Sequence, residues 1–244
     1  MTGGTKGIGR TIASRYLAGG DIVTVCGRSS VDELPSQGGE TAEFVACDVR
    51  DADAVDDLIS GIVDRHGGID VVVNNAGGSP HVLAADASPR FSESIIRLNL
   101  IAPLLVATRA NVEMQLAGHG VIVNIASVSA VRPSPGTAAY GAAKAGILSL
   151  TRSLAVEWAP AVRVVAVICG LIETELAELH YGDAEGVAAV AATVPLGRMG
   201  TPDDVADACL WLSSQAAGYV SGTAVTLDGG GERPAFLAAS KLPH

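Results

Sequence analysis

The chain has 244 residues, of which 48% are hydrophobic and 17% charged, and its 16 basic and 26 acidic side chains give a net charge of −10. This length and composition predict one soluble domain over residues 1–244, and they exclude intrinsic disorder and a small disulfide scaffold. The negative charge repels phosphate backbones and anionic lipids. Neither nucleic acid nor a membrane is therefore expected as the main partner.

The remaining bulk features point to the cytoplasm. No charged leader or apolar secretion segment precedes the first glycines, and the apolar stretches 120–131 and 162–172 are shorter than the roughly 20 residues of a membrane span. The histidines show no metal-ligand spacing, so no catalytic metal is expected. The cysteines form no Cys-x-x-Cys pair and each lies in an apolar stretch, which favours buried thiols. They are Cys26, Cys47, Cys169 and Cys209.

Predicted helices and strands alternate along the chain. Apolar and small residues at helical spacing predict a helix over 7–17, and the short apolar run 21–26 predicts a strand. The order continues with strand 42–47, helix 51–65, strand 70–74, helical region 88–117, strand 120–126, helix 137–158, strand 162–168, helix 202–213 and strand 223–227. Such alternation predicts an α/β protein, with a parallel sheet covered by helices on both faces. A doubly wound, Rossmann-type sheet is the simplest topology.

Residues 171–200 interrupt this alternation. The stretch is rich in alanine, valine and glycine, and its glutamates are Glu173, Glu175, Glu178 and Glu185. It follows the carboxyl end of a strand, which is the edge where open α/β sheets bind ligands. A helical flap over a site is therefore expected, in preference to a surface excursion.

A glycine-rich loop, Thr2-Gly3-Gly4-Thr5-Lys6-Gly7-Ile8-Gly9, opens directly into the first predicted helix. Backbone N–H groups and the positive end of the helix dipole then face one small volume, as in a pyrophosphate cradle. Gly3 suits a turn, while Gly7 and Gly9 are expected to let a phosphate approach without a Cβ in the way. A glycine cluster alone is also compatible with a flexible turn. The other motifs of the chain must distinguish a phosphate-binding loop from such a turn.

The end of the next predicted strand indicates which dinucleotide is bound. Dinucleotide folds place there either a carboxylate for the ribose hydroxyls or a cation for a 2′-phosphate. This chain has Gly27 and Arg28 with no acid, and Lys6 adds a second cation. NADP(H) is therefore expected in preference to NAD. The alternative is that Arg28 is a solvated surface charge with no role in binding. After the following strand, Asp48 is expected to accept from the adenine amino group and Val49 to pack on the ring.

Ser127, Tyr140 and Lys144 are the most informative set. Tyr140 and Lys144 are four residues apart on a predicted helix and share a face, so the ammonium is expected to lower the tyrosine pKa. Ser127 ends an apolar strand, where its hydroxyl can donate to a substrate carbonyl oxygen. An isolated Tyr and Lys at this spacing are more often structural, but together with the glycine loop they favour catalysis.

Together these motifs resemble the short-chain dehydrogenase/reductase family over essentially the whole chain. The glycine loop, the run Asn74-Asn75-Ala76-Gly77, Asn99, and Ser127 thirteen residues before Tyr140 in Tyr-Gly-Ala-Ala-Lys occur in family order. Residues 195–202 and 219–230 also resemble the family's C-terminal part.

The resemblance implies a role for each catalytic residue. Tyr140 would be the general acid/base and Ser127 would polarise the substrate oxygen. Lys144 would bind the nicotinamide ribose and lower the Tyr140 pKa, and Asn99 would hold a water that links Lys144 to solvent. Motif chemistry and resemblance together predict cofactor contacts at Gly3, Thr5, Lys6, Gly7, Ile8, Gly9, Arg28, Asp48, Val49, Asn75, Ala76, Gly77, Tyr140, Lys144, Ile172 and Thr174.

Two departures from the family pattern stand out. Cys169-Gly170 replaces the usual Pro-Gly, so the turn that presents Ile172 and Thr174 loses a rigid φ. Cys169 is then either a buried inert thiol, the favoured interpretation, or a reactive one. The family also has a central strand that runs into the glycine loop, and here Met1 stands where its last aliphatic residue is expected. We expect that this first strand is missing from the sequence and that the natural polypeptide starts upstream, which intact-mass measurement would test.

The predicted function is NADP(H)-dependent hydride transfer between a carbonyl and a secondary alcohol. A 3-oxoacyl thioester reductase of the acyl-carrier-protein type is one candidate, which would need a basic patch for its acidic carrier. The available arginines are Arg90, Arg97, Arg109, Arg132 and Arg152. The acidic flap instead favours a small neutral substrate.

The alternative is a non-catalytic dinucleotide-binding sensor or assembly subunit, which the missing strand favours and the intact catalytic set opposes. The resemblance further implies a homotetramer or homodimer, formed through the helical region 88–117 and the helix 137–158.

Overall fold

The computed structural model describes residues 1–175, 177 and 181–239. The strands are β1 (Thr24–Gly27), β2 (Ser36–Gln37), β3 (Glu40–Thr41), β4 (Glu43–Ala46), β5 (Val71–Asn74), β6 (Gly120–Ser127), β7 (Val162–Cys169) and β8 (Ala224–Leu227). The α-helices are α1 (Gly7–Ala18), α2 (Ala52–His66), α3 (Pro89–Ile96), α4 (Ala102–Ala117), α5 (Ala138–Glu157), α6 (Ala184–Ala191), α7 (Pro202–Ser213) and α8 (Ala235–Ala239). The predicted alternation is confirmed, with most boundaries shifted by one to three residues.

The main sheet is parallel and consists of two ladders. One ladder pairs β4 with β1, and the other has the order β5-β6-β7-β8. Thr2 forms parallel bridges to both Cys26 and Asn74, so it joins the two ladders. The predicted α/β, doubly wound sheet is therefore confirmed. The short antiparallel hairpin β2-β3, between β1 and β4, was not predicted.

A single bridged residue occupies the slot between β1 and β5. The Thr2 amide donates to the Val73 carbonyl at 3.0 Å, and the Cys26 amide donates to the Met1 carbonyl at 3.0 Å. Within residues 1–6, this bridge lies where the family that the sequence resembles has its central strand. The prediction that this strand is missing is confirmed for residues 1–6, which form only the Thr2 bridges.

Helices cover both faces of the sheet. On one face, Ile12 of α1 and Leu212 of α7 are fully buried in the same apolar cluster. On the other face, Leu58 of α2, Val106 of α4 and Leu154 of α5 share a second cluster. Each helix thus buries one apolar stripe against the strands, which is the packing that the alternating sequence predicts.

The predicted helical region 88–117 is divided by a π-helical turn at Arg97–Ile101. Pro103 follows this turn and has no N–H to donate to a carbonyl four residues earlier, which accounts for the local change of register. The turn carries Asn99 inward, where its side chain is fully buried.

The helical segment Pro89–Ala117 has the length and hydropathy of a membrane span. In the fold, its residues Ala102, Val106, Ala110 and Met114 are buried, and they pack in the same cluster as strand residues. The segment also carries Arg109, which is paired with Asp56 and Glu113. This is the pattern of a core helix in a globular protein.

The predicted flap leaves the sheet after β7 and returns before α7. At its base, Ile172 bridges Gly200, with the Gly200 amide donating to the Leu171 carbonyl at 2.9 Å. Helix α6 forms part of the segment. Residues 176 and 178–180, among them the predicted flap residue Glu178, lie outside the described part of the chain.

Candidate active site

A cleft of about 760 Å³ crosses the carboxyl ends of the strands. Every predicted site residue except Asn99 lines it. These residues are Gly3, Thr5, Lys6, Gly7, Ile8, Gly9, Arg28, Asp48, Val49, Asn75, Ala76, Gly77, Ser127, Tyr140, Lys144, Ile172 and Thr174. The flap also reaches the cleft, because Glu175 and Tyr181 are among its lining residues.

The glycine loop turns directly into α1. Gly3 and Gly7 have φ values of +61° and +52°, in the left-handed region that favours glycine. Lys6 is the N-cap residue of α1 and makes no side-chain capping hydrogen bond. The first amides of α1 are therefore available to an anion in the cleft, as a pyrophosphate cradle requires.

Gly9 was predicted to be a glycine so that a phosphate could approach, and this reason is wrong. A Cβ at this position would overlap the Gly3 carbonyl oxygen and the Asn75 side-chain amide, not a phosphate. Gly9 thus allows the loop to fold back on its own helix. The cradle depends on this glycine indirectly, through the shape of the loop.

Thr2 fixes the glycine loop to the end of β5, a role that sequence reasoning missed. Its hydroxyl oxygen accepts from the amides of Asn75 and Ala76, both at 3.0 Å. The Asn75 side-chain amide in turn donates to the carbonyls of Thr2 and Gly3 at 3.2 and 3.0 Å. The matched run beginning at Asn74 therefore shapes the cleft by holding two loops together.

Glu175 lies over the start of α1. Its two carboxylate oxygens are 3.6 and 3.7 Å from the position that a Cβ of Gly7 would occupy. This is the location at which the helix dipole and the free amides favour negative charge. A bound phosphate would compete with this carboxylate for the same donors.

The adenosine side of the cleft contains a cation that was not predicted. Arg50 holds the Asp48 carboxylate with two nitrogen atoms, Nε to Oδ1 at 2.9 Å and Nη2 to Oδ2 at 2.6 Å. The Arg50 guanidinium, assisted by Arg28, lowers the pKa of Asp48 to about 2. Both Asp48 oxygens already accept from Arg50, so the predicted contact with adenine would use their remaining lone pairs. An arginine two residues after the predicted adenine contact was the available signal.

The catalytic candidates lie where β6, β7 and α5 meet. Ser127 ends β6 and lies close enough to Tyr140, in the first turn of α5, to lower the pKa of its hydroxyl. Lys144 follows one turn later and is only 3% exposed, with Nζ donating to the Ile125 carbonyl at 2.7 Å. Its ammonium lies 5.6 Å from the Tyr140 ring centroid. The predicted Ser, Tyr and Lys set is brought together by the fold.

Burial is the main cause of the shifted pKa values of Lys144 and Tyr140. It lowers the pKa of Lys144 to about 8, because the ammonium has left water. It also raises the pKa of Tyr140, and the neighbouring Ser127 side chain only partly offsets this. The prediction that Lys144 brings the Tyr140 pKa down is therefore wrong in net direction for the ligand-free protein, since desolvation outweighs the favourable contacts.

Two glycines bring the catalytic elements close to each other. A Cβ at Gly141, directly after Tyr140, would lie 2.8 Å from the Ser129 carbonyl oxygen. A Cβ at Gly77 would lie 2.6 Å from Asn99 Oδ1 and 3.3 Å from Lys144 Nζ. Asn99 thus stands behind the cleft wall, next to the lysine.

The Asn99 side chain is hydrogen-bonded to backbone groups. Its Oδ1 accepts from the Gly78 amide at 2.9 Å, and its Nδ2 donates to the carbonyls of Gly78 and Ile95. The residue therefore anchors the loop that follows β5. Its predicted water-holding role stays a prediction.

The Cys169-Gly170 turn is held by the neighbouring strand in place of a proline. The Gly170 amide donates to the Leu227 carbonyl at 2.8 Å, and a Cβ there would lie 2.7 Å from the Asp228 Cα. Burial raises the pKa of the Cys169 thiol to about 12, in line with the favoured interpretation. All four cysteines are buried, as predicted.

A glycine loop opening into a helix, on a doubly wound sheet with a Ser, Tyr and Lys cluster across the cleft, defines a nicotinamide-dinucleotide oxidoreductase. Comparison with known proteins identifies the family. The family model described as enoyl-(acyl carrier protein) reductase matches residues 3–232. The chain belongs to the short-chain dehydrogenase/reductase family and is an oxidoreductase acting on CH–OH or carbonyl groups.

Individual relatives match over nearly their full length. The chain is 35% identical to 3-oxoacyl-(acyl-carrier-protein) reductase FabG of Chlamydia pneumoniae, over 94% of each chain. It resembles ligand-free aldohexose dehydrogenase of Thermoplasma acidophilum with a TM-score of 0.87 and 32% identity, over 94% of this chain and 91% of the other. It resembles a variant of actinorhodin polyketide ketoreductase with NADPH, with a TM-score of 0.86 and 30% identity over 94% of each chain.

Proposed function

We propose that the protein is an NADP(H)-dependent enzyme that transfers hydride between the nicotinamide and a carbonyl compound or secondary alcohol. The observation that carries this proposal is the placement of Ser127, Tyr140 and the buried ammonium of Lys144 together in the wall of one cleft. These groups lie at one end of a cleft whose other end is lined by Arg28 and Arg50. The arrangement supplies a placed proton at one end and a binding site for a phosphorylated adenosine at the other.

A bound nicotinamide cofactor would supply the hydride. Ser127 would donate a hydrogen bond to the substrate oxygen and so polarise the carbonyl. Tyr140 would give its proton to this oxygen as negative charge develops there, and the Lys144 ammonium would stabilise the resulting tyrosinate. Because burial raises the pKa of Tyr140, its hydroxyl is protonated at neutral pH, which suits the reducing direction.

The cofactor preference is proposed from charge. Lys6, Arg28 and Arg50 line the cleft, in a chain whose net charge is −10. Guanidinium groups favour a phosphate over a free hydroxyl, because the hydrogen bonds are charge-assisted. The NADPH found with the related polyketide ketoreductase supports the same choice. Binding of NADP and NAD should be compared by titration, and a clear preference for NAD would refute the assignment.

For the substrate, we propose an uncharged ketone or secondary alcohol. Of the arginines that could attract an acidic carrier protein, Arg109 is paired with Asp56 and Glu113, and Arg132 is paired with Glu232. Pairing weakens the attraction of these two arginines for an acidic carrier. The likeness to a 3-oxoacyl-(acyl-carrier-protein) reductase supports carbonyl chemistry and makes the carrier-bound thioester the second substrate to test.

The experiment is NADPH oxidation with a panel of neutral ketones and a 3-oxoacyl thioester, free and carrier-bound. The wild-type protein is compared with Tyr140→Phe, which removes the proton donor and keeps the ring. Turnover that depends on Tyr140 supports the proposal. Cofactor binding without any such turnover would instead favour a non-catalytic sensor.

We also propose that the chain forms a homodimer or homotetramer through α4 and α5. Leu116 of α4 and Val156 of α5 are large aliphatic side chains that are 82% and 81% exposed. A self-complementary contact across a two-fold axis would bury both. Sedimentation of the wild-type protein and Leu116→Asp tests this, and a wild-type monomer would contradict it. A cytoplasmic location stays a prediction from the sequence.

A further inference from the structure

Two free thiols lie on neighbouring strands at the adenosine end of the cleft. Cys26 lies in β1 and Cys47 directly follows β4, two residues beyond the partner of Cys26, so both side chains lie on the same face of the sheet. Each thiol perturbs the pKa of the other, and the Cys47 thiol donates to the Ala54 carbonyl at 3.4 Å. The parallel register that brings them together pairs Gly27 with Ala46, and the Cys47 amide donates to the Gly27 carbonyl at 2.9 Å. Both cysteines belong to the same buried cluster, and both line the cleft.

The two thiols differ in acidity. The neighbouring Cys47 thiol is the main cause that lowers the pKa of Cys26 to about 7, with a smaller contribution from the Gly3 amide. The neighbouring Cys26 side chain, together with burial, raises the pKa of Cys47. The pair therefore combines a nucleophilic thiolate with an adjacent thiol that can resolve it, as reversible thiol oxidation requires. The proposed catalytic mechanism uses neither cysteine.

We propose that Cys26 and Cys47 form a modification site, which a hydroperoxide oxidises to an intramolecular disulfide that weakens cofactor binding. In the first step the Cys26 sulfur bonds to a peroxide oxygen and the O–O bond breaks, giving a sulfenic acid and releasing an alcohol, or water from hydrogen peroxide. In the second step the Cys47 sulfur bonds to the Cys26 sulfur, and the hydroxyl leaves as water with the Cys47 proton. The two thiols lose two electrons, and the peroxide is reduced.

The register explains why the disulfide would alter the cleft. Cys26 lies opposite Val45, and Cys47 is two residues farther along, so the two are diagonal neighbours on adjacent strands. Diagonal neighbours have Cα atoms roughly 7–8 Å apart, whereas a disulfide needs about 4.4–6.8 Å. Closing the bond would pull Cys47 towards β1. Asp48 and Val49 follow immediately and line the cleft, so they would move with it.

The chain offers matched control thiols. Cys169 in β7 and Cys209 in α7 are buried in the cluster on the other face of the sheet, and burial raises both of their pKa values. Oxidation of these two should therefore be much slower than oxidation of Cys26. Cys169→Ser and Cys209→Ser are the controls for Cys26→Ser and Cys47→Ser.

The first test uses the ligand-free full chain and hydrogen peroxide, with alkylation of the remaining thiols and peptide mass mapping. The expected result is a loss of about 2 Da, a linked Cys26–Cys47 peptide, and reversal by a dithiol. The linked peptide should be absent from Cys26→Ser and Cys47→Ser and present in both controls. Failure to form it in wild type, or linkage of other cysteines in its place, overturns the proposal. Thermal unfolding verifies that each variant is folded. If a serine variant does not fold, Cys26→Ala or Cys47→Ala replaces it.

The second test measures NADPH binding by fluorescence before and after oxidation, and it rests on the proposed function. Oxidised wild type should bind at least about tenfold more weakly, with recovery after a dithiol, and bound NADPH should slow disulfide formation. Unchanged affinity in the fully linked protein would overturn the regulatory part of the proposal. If the disulfide forms but reduced protein binds no NADPH, the proposed function fails while the modification site stands.

Discussion

The two ends of the cleft are built differently. The catalytic end rests on β6 and β7, which pair over eight residues, from Gly120 opposite Val162 to Ser127 opposite Cys169. The adenosine end rests on β1 and β4, which pair over four residues and connect to the rest of the sheet through Thr2. Backbone pairing thus fixes the catalytic end, whereas contacts between side chains shape the adenosine end. Changes at the first should alter chemistry, and changes at the second should alter cofactor binding.

The largest effect is expected for Tyr140→Phe. Because the variant lacks the proton donor, kcat should fall by about 10²–10⁴-fold. The dissociation constant for NADPH should change by less than about threefold, since the ring and the fold remain. Steady-state kinetics and fluorescence titration measure the two quantities. Retained turnover in a folded variant would remove Tyr140 from the proposed role.

Lys144 should reveal the instability that its buried charge introduces at the catalytic end. Burial lowers its pKa to about 8 from the ordinary 10.5, so the unfolded chain binds more protons than the folded chain between these values. The contribution of Lys144 to the free energy of unfolding should therefore rise from pH 8 to 10.5, by on the order of 3 kcal/mol.

The matched variant is Lys144→Met, which keeps the length of the side chain and removes the titration. Urea unfolding at several pH values should show the alkaline rise in wild type and a flatter profile in the variant. Parallel profiles for the two proteins would contradict the assignment of the lowered pKa.

At the adenosine end, Arg28→Ala and Arg50→Ala should weaken NADP binding by about 10–100-fold each, because each removes a charge-assisted contact to a phosphate. NAD binding should change by less than about threefold. Arg50→Ala should also raise the pKa of Asp48 from its value of about 2, since its main partner is lost. Isothermal titration with both cofactors checks the prediction. Arg109→Ala, which removes an arginine paired on α4, is the control and should affect neither.

The smallest effect is expected at Glu175. Its carboxylate lies over Gly7 at the start of α1, where a cofactor phosphate would compete with it. Glu175→Gln should therefore tighten NADP binding by about three- to tenfold, most clearly at low salt. Glu185→Gln, on exposed α6, should leave the affinity unchanged. Weaker binding in the Glu175 variant would show that the carboxylate supports the cofactor.

The catalytic end could be predicted from sequence because its signals are local. Tyr140 and Lys144 share a helix face. Ser127 ends a strand that the sequence predicts from a run of apolar residues. At the other end, the pairing of Arg50 with Asp48 depends on how one loop folds. The packing of Gly9 against Gly3 likewise depends on a fold-back that residue spacing does not encode.

Two further features needed the three-dimensional packing. The π-helical turn around Asn99 arises where Pro103 breaks a hydrogen-bond ladder, and sequence reasoning predicted only a continuous helical region there. The direction of the Tyr140 pKa shift depends on desolvation, which neighbouring residues in the sequence do not reveal. Residue identity thus predicted which groups meet, and packing determined how strongly each is perturbed.

The most direct test is single-turnover oxidation of bound NADPH by a neutral ketone, measured for wild type, Tyr140→Phe and Arg28→Ala. It tests whether one end of the cleft performs catalysis and the other binds the cofactor. At saturating cofactor, Tyr140→Phe should lose the transfer rate and keep the NADPH affinity. Arg28→Ala should lose the affinity and keep the rate. If both variants changed the same quantity, the cleft would not be divided into a catalytic end and an adenosine end.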